Sequence, residues 1–180
     1  TPTGVEIVQG STPKFARKVL KDMLNVLFEK GKSLEYGQVV KKLKEYKEQF
    51  LLQDPDDISK TMSIGDYEKY VLEDRKELRI GDKCPINVRA AALYNHTLFN
   101  TKWKSKYNLI KTGDKIKFYY SKGENDIFGF LPGDYPYEFA PAVDYDRQFE
   151  KIIVEPFNRF IEPLGFNPIP GNLIYAKSLF

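Results

Sequence analysis

The sequence predicts an α+β fold: a helical hairpin and further helices beside a small antiparallel β region. Two observations carry this. Apolar residues recur at helical spacing through the first 50 positions and again near 85–99 and 144–161, whereas short aromatic and β-branched runs bounded by Gly, Asn and Asp occupy 107–131. A chain of 180 residues, 42% hydrophobic and 14% aromatic, can build the core of one ordinary domain or two small lobes.

Residues 4 to 9 alternate as a short strand. Ser11 or Thr12 then caps a first helix with Pro13 in its first turn, and Phe15, Val19, Leu20, Met23, Leu24, Leu27 and Phe28 form its apolar stripe before Gly31 stops it. Ser33 caps a second helix, with Leu34, Val39, Val40, Leu43, Tyr46 and Phe50 inward and Lys41, Lys42, Lys44 and Lys47 on a wet face. The short loop between the two predicts an antiparallel hairpin.

Asp54-Pro55-Asp56-Asp57 reads as a turn, Ile58–Ile64 as a strand, and 67–80 as charged and irregular. A third helix runs from about Pro85 to Phe99, with Val88, Ala91, Ala92 and Phe99 as packing positions. Tyr107–Ile110, Lys115–Tyr120 and Ile127–Leu131 read as strands, and Asp144–Ile161 as a last helix that Pro156 can kink.

The net charge of +3 hides segregation along the chain. Lys102 to Lys117 carries a net +5 and Asp134 to Glu155 a net −4. The lysine run is interleaved with Trp103, Tyr107 and Phe118, which suits a phosphate backbone or a stacked base, although composition alone favours a solvated surface with aromatic anchors. One cysteine excludes an internal disulfide, and with a single histidine it cannot assemble an ordinary zinc site, so a reducing cytoplasm is expected. No apolar run approaches the roughly 20 residues of a membrane-spanning helix. The start, TPTGVEIVQG, lacks both an initiator methionine and the regions of a signal peptide, so a piece of a longer protein is expected.

Nucleotide-cradling loops (G-x-x-x-x-G-K-[ST], G-x-G-x-x-G) and the G-x-S-x-G elbow are absent from the sequence. Turn formation and helix N-terminal charge account for Asp56-Asp57 and Asp144-x-Asp146 better than a metal does. The stretch GDKCPINVRAAALYN (81–95) differs. Gly81 and Lys83 precede a helix opened by Pro85, and Arg89 follows about one turn in. Backbone N–H groups at such a start are free and carry partial positive charge, so added cations there suit an anion, phosphate first.

Within that stretch, KCPINVRAAALYN resembles the thumb of the B-family replicative DNA polymerases of T-even-like bacteriophages, in which K-C-P-x-x-(I/V)-R-(G/A) leads into L-x-Y-N. Other segments follow in the family's order. GVEIVQGSTPK is similar to the passage from palm to thumb, KTGDKIKFYY to a later strand region, VDYDRQFEKIIVEPF to the final helix, and AKSLF to the start of a clamp-binding tail.

The resemblance implies residues 1–10 as the end of the palm, 11–165 as the thumb and 166–180 as the tail. It implies a part of a DNA-directed DNA polymerase that grips primer-template duplex and is catalytically inert alone. Magnesium and the catalytic and editing acids would belong to other domains of the full enzyme, in the cytoplasm of the infected host. Lys83 and Arg89 would bind duplex phosphates, joined by Ser63 and the backbone near Gly81. Arg79, with Arg75 and Lys76, would add contacts in a thumb tip longer and more charged than the family's. Leu179 and Phe180 would anchor a sliding clamp, and the palm of the same polymerase would be a further partner. The competing expectations are a protein-interaction module that docks through its apolar tail, and a stand-alone nuclease or transferase using Asp144, Asp146 and Lys151.

Overall fold

The computed structural model describes residues 9–74 and 77–175. It has the expected α+β character, arranged as two compact units. Residues up to 58 together with those from 145 onward form one unit, and 59–144 form the other.

The first unit opens with α1 (Lys14–Lys30), which buries Phe15, Val19, Leu20, Met23, Leu24 and Leu27. Its N-cap is Pro13 with no side-chain hydrogen bond, so neither Ser11 nor Thr12 caps it. Gly31 ends α1 at φ +49°, a left-handed conformation that a side chain would resist. Phe28, expected inward, is 62% exposed, because the buried stripe ends at Leu27.

Helix α2 (Tyr36–Phe50) starts from a capping box between Glu35 and Gln38, while the Ser33 hydroxyl instead donates to the Lys30 carbonyl (2.5 Å). Phe15 and Phe50 meet at 5.7 Å between ring centroids, and Tyr46 donates to Asp22 (3.0 Å). The start of α1 thus lies against the end of α2, as an antiparallel hairpin requires. Lys47, assigned to the wet face, is instead buried at 4% exposure. Its position four residues after Leu43 continues the Val39–Leu43 stripe. A single turn, α3 (Pro55–Ile58), follows.

In the second unit, β1 (Lys60–Ser63) pairs antiparallel with a later strand. A left-handed Asp66 (φ 51°) leads into the one-turn helix α4 (Tyr67–Tyr70). The charged stretch beyond it is a hairpin of β2 (Val71–Asp74) and β3 (Glu77–Ile80), joined through residues 75–76, which lie outside the described chain. Helix α5 (Ile86–Phe99) buries Val88, Ala90, Ala91, Ala92, Tyr94 and Leu98. Phe99, expected to pack, is 39% exposed.

β4 (Lys115–Tyr120) lies between β1 and β5 (Ile127–Phe130) in the order β1-β4-β5. Residues 107–110 are not a strand. Their backbone is held instead by α5 side chains: Asn95 Nδ2 donates to the Ile110 carbonyl (2.8 Å), Ile110 N–H donates to Asn95 Oδ1 (2.8 Å), and the Tyr94 hydroxyl donates to the Asn108 carbonyl (2.8 Å). With both backbone groups of Ile110 satisfied by one amide, no partner strand is needed.

The chain then returns to the first unit through α6 (Tyr145–Phe149), a π-helical turn (Glu150–Val154) and α7 (Glu155–Ile161). The expected kink takes this form. Pro156 has no N–H to donate and its ring crowds the carbonyl four residues back, so a wider turn just before it relieves the conflict. From within α7, Asn158 repeats the device of Asn95, bonding both the N–H and the carbonyl of Ile169 at 2.8 Å. No helix among the described residues is long and apolar enough to cross a membrane.

Candidate nucleic-acid interface

The stretch 81–95 begins where β3 ends. Gly81 donates its N–H to the Tyr70 carbonyl (2.7 Å), and a Cβ at this position would already touch that oxygen at 3.4 Å. Its backbone donor is therefore spent on closing the hairpin. Two residues later Lys83 adopts φ +59°, a left-handed conformation costing roughly 1–2 kcal/mol outside glycine. This reverses the chain into Pro85, the N-cap of α5, which lacks a side-chain cap bond. Helix α5 thus starts one residue beyond the expected Pro85, with first-turn N–H groups that no capping side chain claims. Lys83 is exposed beside them. Burial pushes the neighbouring Cys84 thiol above its ordinary pKa, only partly offset by the Arg89 charge, so it is not an activated thiolate.

Asn87, buried in the first turn of α5, donates from Nδ2 to the Ser63 carbonyl (2.8 Å) and so ties the end of β1 to the start of the helix. Ser63 is exposed and lies opposite Lys115 in the β1–β4 register, with Thr61 opposite Lys117. Directly paired residues share a face of the sheet, so two hydroxyls and two ammonium groups belong to one face. The structure thus ties the end of β1, where Ser63 lies opposite Lys115, to the opening turn of α5 through Asn87, and Lys83 precedes that turn in the chain. Asn87 has no motif to mark it, and Lys115 stands out only as one member of the Lys102–Lys117 run. The usable signal was the alternation of Lys115 and Lys117 with buried Ile116 and Phe118.

Arg89 and Arg79 are placed differently. The Arg89 guanidinium spans the Asp126 carboxylate, Nη1 to Oδ1 at 2.5 Å and Nη2 to Oδ2 at 3.4 Å, with its side chain 32% exposed. Its charge has a partner within the unit. Arg79 is exposed on β3 and bonded to Glu77 (3.0 Å). Arg75, Lys76, Leu179 and Phe180 lie outside the described residues.

The lysine run divides in two. Lys115 and Lys117 belong to the sheet face just described. Lys102, Lys104 and Lys106 follow the last turn of α5, which at 14 residues puts them about 20 Å from its first. There Lys102 sits over the Trp103 ring (4.9 Å), and Lys106 is bonded to Glu138, which also accepts from the Tyr107 hydroxyl. The Lys106 and Tyr107 donors hold the Glu138 carboxyl down at about 2. Two of the residues proposed for a nuclease are likewise engaged: Asp146 bonds Lys47 (2.5 Å), and Lys151 bonds Glu155 (2.8 Å). No protein-family model matches this chain, and no curated protein shows significant similarity to it.

Proposed function

We propose that the chain is the thumb part of a DNA-directed DNA polymerase of the B-family phage type, gripping primer-template duplex by its phosphates. The observation that supports this reading is the start of α5, uncapped by any side chain, preceded by exposed Lys83 and tied through Asn87 to the strand end where Ser63 pairs with Lys115. Cations, a hydroxyl and a helix N-terminus can each accommodate a phosphate oxygen, and none of them reads a base. Such a grip holds any sequence, as a replicative enzyme requires. In this reading chemistry resides in other domains, where magnesium acts in the full polymerase, and the partners are the palm and, through Leu179 and Phe180, a sliding clamp. The setting is the cytoplasm of an infected bacterium.

The test is fluorescence anisotropy of a labelled primer-template duplex titrated with the 180-residue chain at several salt concentrations, beside Lys83→Ala/Lys115→Ala. Affinity should fall steeply with salt, with a logarithmic slope of about −0.9 per phosphate neutralised, and the double variant should have a smaller slope on every duplex sequence. Arg89→Ala should weaken binding less than Lys83→Ala, because Arg89 already serves Asp126. Absence of salt-sensitive binding, or an unchanged slope in the double variant, would remove the basis for the reading.

A further inference from the structure

Helices α1 and α2 leave part of the seam between them open. Near the turn that joins them, two depressions of about 220 and 270 Å³ meet at Leu34 and Val39. Met23, Val26 and Leu27 of α1 contribute apolar lining, and Phe157 and Ile161 of α7 continue it. The Tyr46–Asp22 hydrogen bond spans the seam one turn beyond. At the rim Tyr36 is 46% exposed. Lys30, Lys41 and Lys42 line one depression against a single acid, Glu45. The excess extends along the hairpin: residues 14–50 hold ten Lys and Arg against five Asp and Glu, a net +5, of which the buried Lys47 is spent on Asp146.

We infer that this groove receives an acidic amphipathic helix of a partner protein. Met23, Leu27, Val39, Phe157 and Ile161 form a buried floor, above which half-buried Val26 and Leu34 and exposed Tyr36 present apolar surface to apolar side chains, while the lysine rim suits carboxylates flanking them, which is the pattern of helix-in-groove recognition. A nucleic-acid backbone matches the rim but leaves Val26, Leu34 and Tyr36 uncovered. The span from Met23 to Lys30 is about 10 Å, two turns, enough to seat anchors at i, i+3/i+4 and i+7. Charge complementarity sets the partner's sign and steers its approach. This inference stands apart from the duplex-binding reading, since it uses neither Lys83 nor the sheet face.

The test uses a fluorescein-labelled peptide of about 14 residues, with Leu in a helical stripe and Glu on its flanks, titrated with the 180-residue chain. A twin with Lys in place of Glu serves as control. The Glu peptide should bind and the Lys twin should not. Lys30→Glu/Lys41→Glu/Lys42→Glu, all at the surface, should weaken binding by about tenfold or more, and Val26→Ser by several-fold, with circular dichroism unchanged. If the triple variant loses helical signal, Val26→Ser decides alone. Equal binding of the two peptides, or binding unaffected by Val26→Ser, overturns the inference. So does displacement of the Glu peptide by a single-stranded oligonucleotide at lower concentration than by unlabelled peptide.

Discussion

The Lys47 ammonium lies 2.5 Å from the Asp146 carboxylate and 5.3 Å from the centre of the Phe149 ring, within the core of the first unit. The Lys47 side chain is only 5% exposed, whereas Asp146 keeps 37%. Solvent therefore reaches the acid but not the base, and the ammonium relies on its partner for compensation.

Removing the acid should cost far more than removing the base. Asp146→Ala strands a buried cation and should destabilise the protein by about 3 kcal/mol, the lower part of the range for breaking a buried pair. Lys47→Met keeps the stem's packing, removes the charge and should stay within about 1 kcal/mol of the parent. Urea unfolding of both variants checks this. Equal losses would mean that the pair stabilises through mutual attraction.

A pH dependence follows from Glu138. The Lys106 ammonium first, and the Tyr107 hydroxyl second, lower its carboxyl from an ordinary 4.5 to about 2. A depressed carboxyl favours the folded state wherever it is ionised. Its contribution is complete above the unfolded pKa of 4.5 and disappears as pH falls through the folded value near 2. Glu138→Gln should therefore be less stable than the parent at pH 7, with the gap closing between 4.5 and about 2. Urea midpoints measured down that range decide it. A gap constant with pH would assign the loss to packing.

Gly129 in β5 supplies a close approach that no turn explains. A Cβ added there would stand 3.1 Å from the Ala90 carbonyl carbon and 3.2 Å from its Cβ, so the strand and α5 touch backbone to backbone. Gly129→Ala should destabilise by about 1–3 kcal/mol, as overpacking does, because the obstacle is helix backbone. Gly165→Ala is a useful contrast: its Cβ meets nothing, but φ is +87°, so any loss there is conformational. Thermal melts of the two separate the mechanisms. A neutral Gly129→Ala would show that α5 can move away from the strand.

What the sequence disclosed follows from which forces are local. The stripes of α1, α2 and α5 and the alternation in β4 were legible because burial imposes a period on the residues themselves. Lys47 reads as outward by residue type, whereas its offset of four from Leu43 marks it as inward. The β2–β3 hairpin was hidden because only β3 alternates in the ordinary sense, with Leu78 and Ile80 half-buried between exposed Glu77 and Arg79, whereas β2 does not. Leu72 is 71% exposed, whereas Glu73 points toward His96 of α5 at 3.9 Å. Residues 107–110 had a strand's composition and no strand's partner, since Asn95 satisfies the backbone from a helix. At the candidate site the helix start and Lys83 were legible. The ties from Asn87 to Ser63 and from Arg89 to Asp126 were not, because they join residues 24 and 37 positions apart.

Lys83 separates stability from binding in a single position. Its φ of +59° is strained for any residue with a Cβ, whereas glycine adopts it freely. Lys83→Gly should hold stability level or raise it by up to about 1 kcal/mol, because relief of the left-handed strain opposes the greater entropy of the unfolded glycine. The same change removes a charge beside the uncapped start of α5. It should weaken duplex binding by about 1–3 kcal/mol, the loss for a hydrogen bond to a charged group, equally on any DNA sequence. Lys83→Ala should lose the same affinity while keeping the strain, so the pair should bind alike, with Lys83→Gly melting no lower than Lys83→Ala. Unfolding and anisotropy measured on both variants test each half. If Lys83→Gly binds duplex as the parent does, the left-handed turn serves only to aim the chain into α5, and the phosphate grip has to be sought on the Lys115 face.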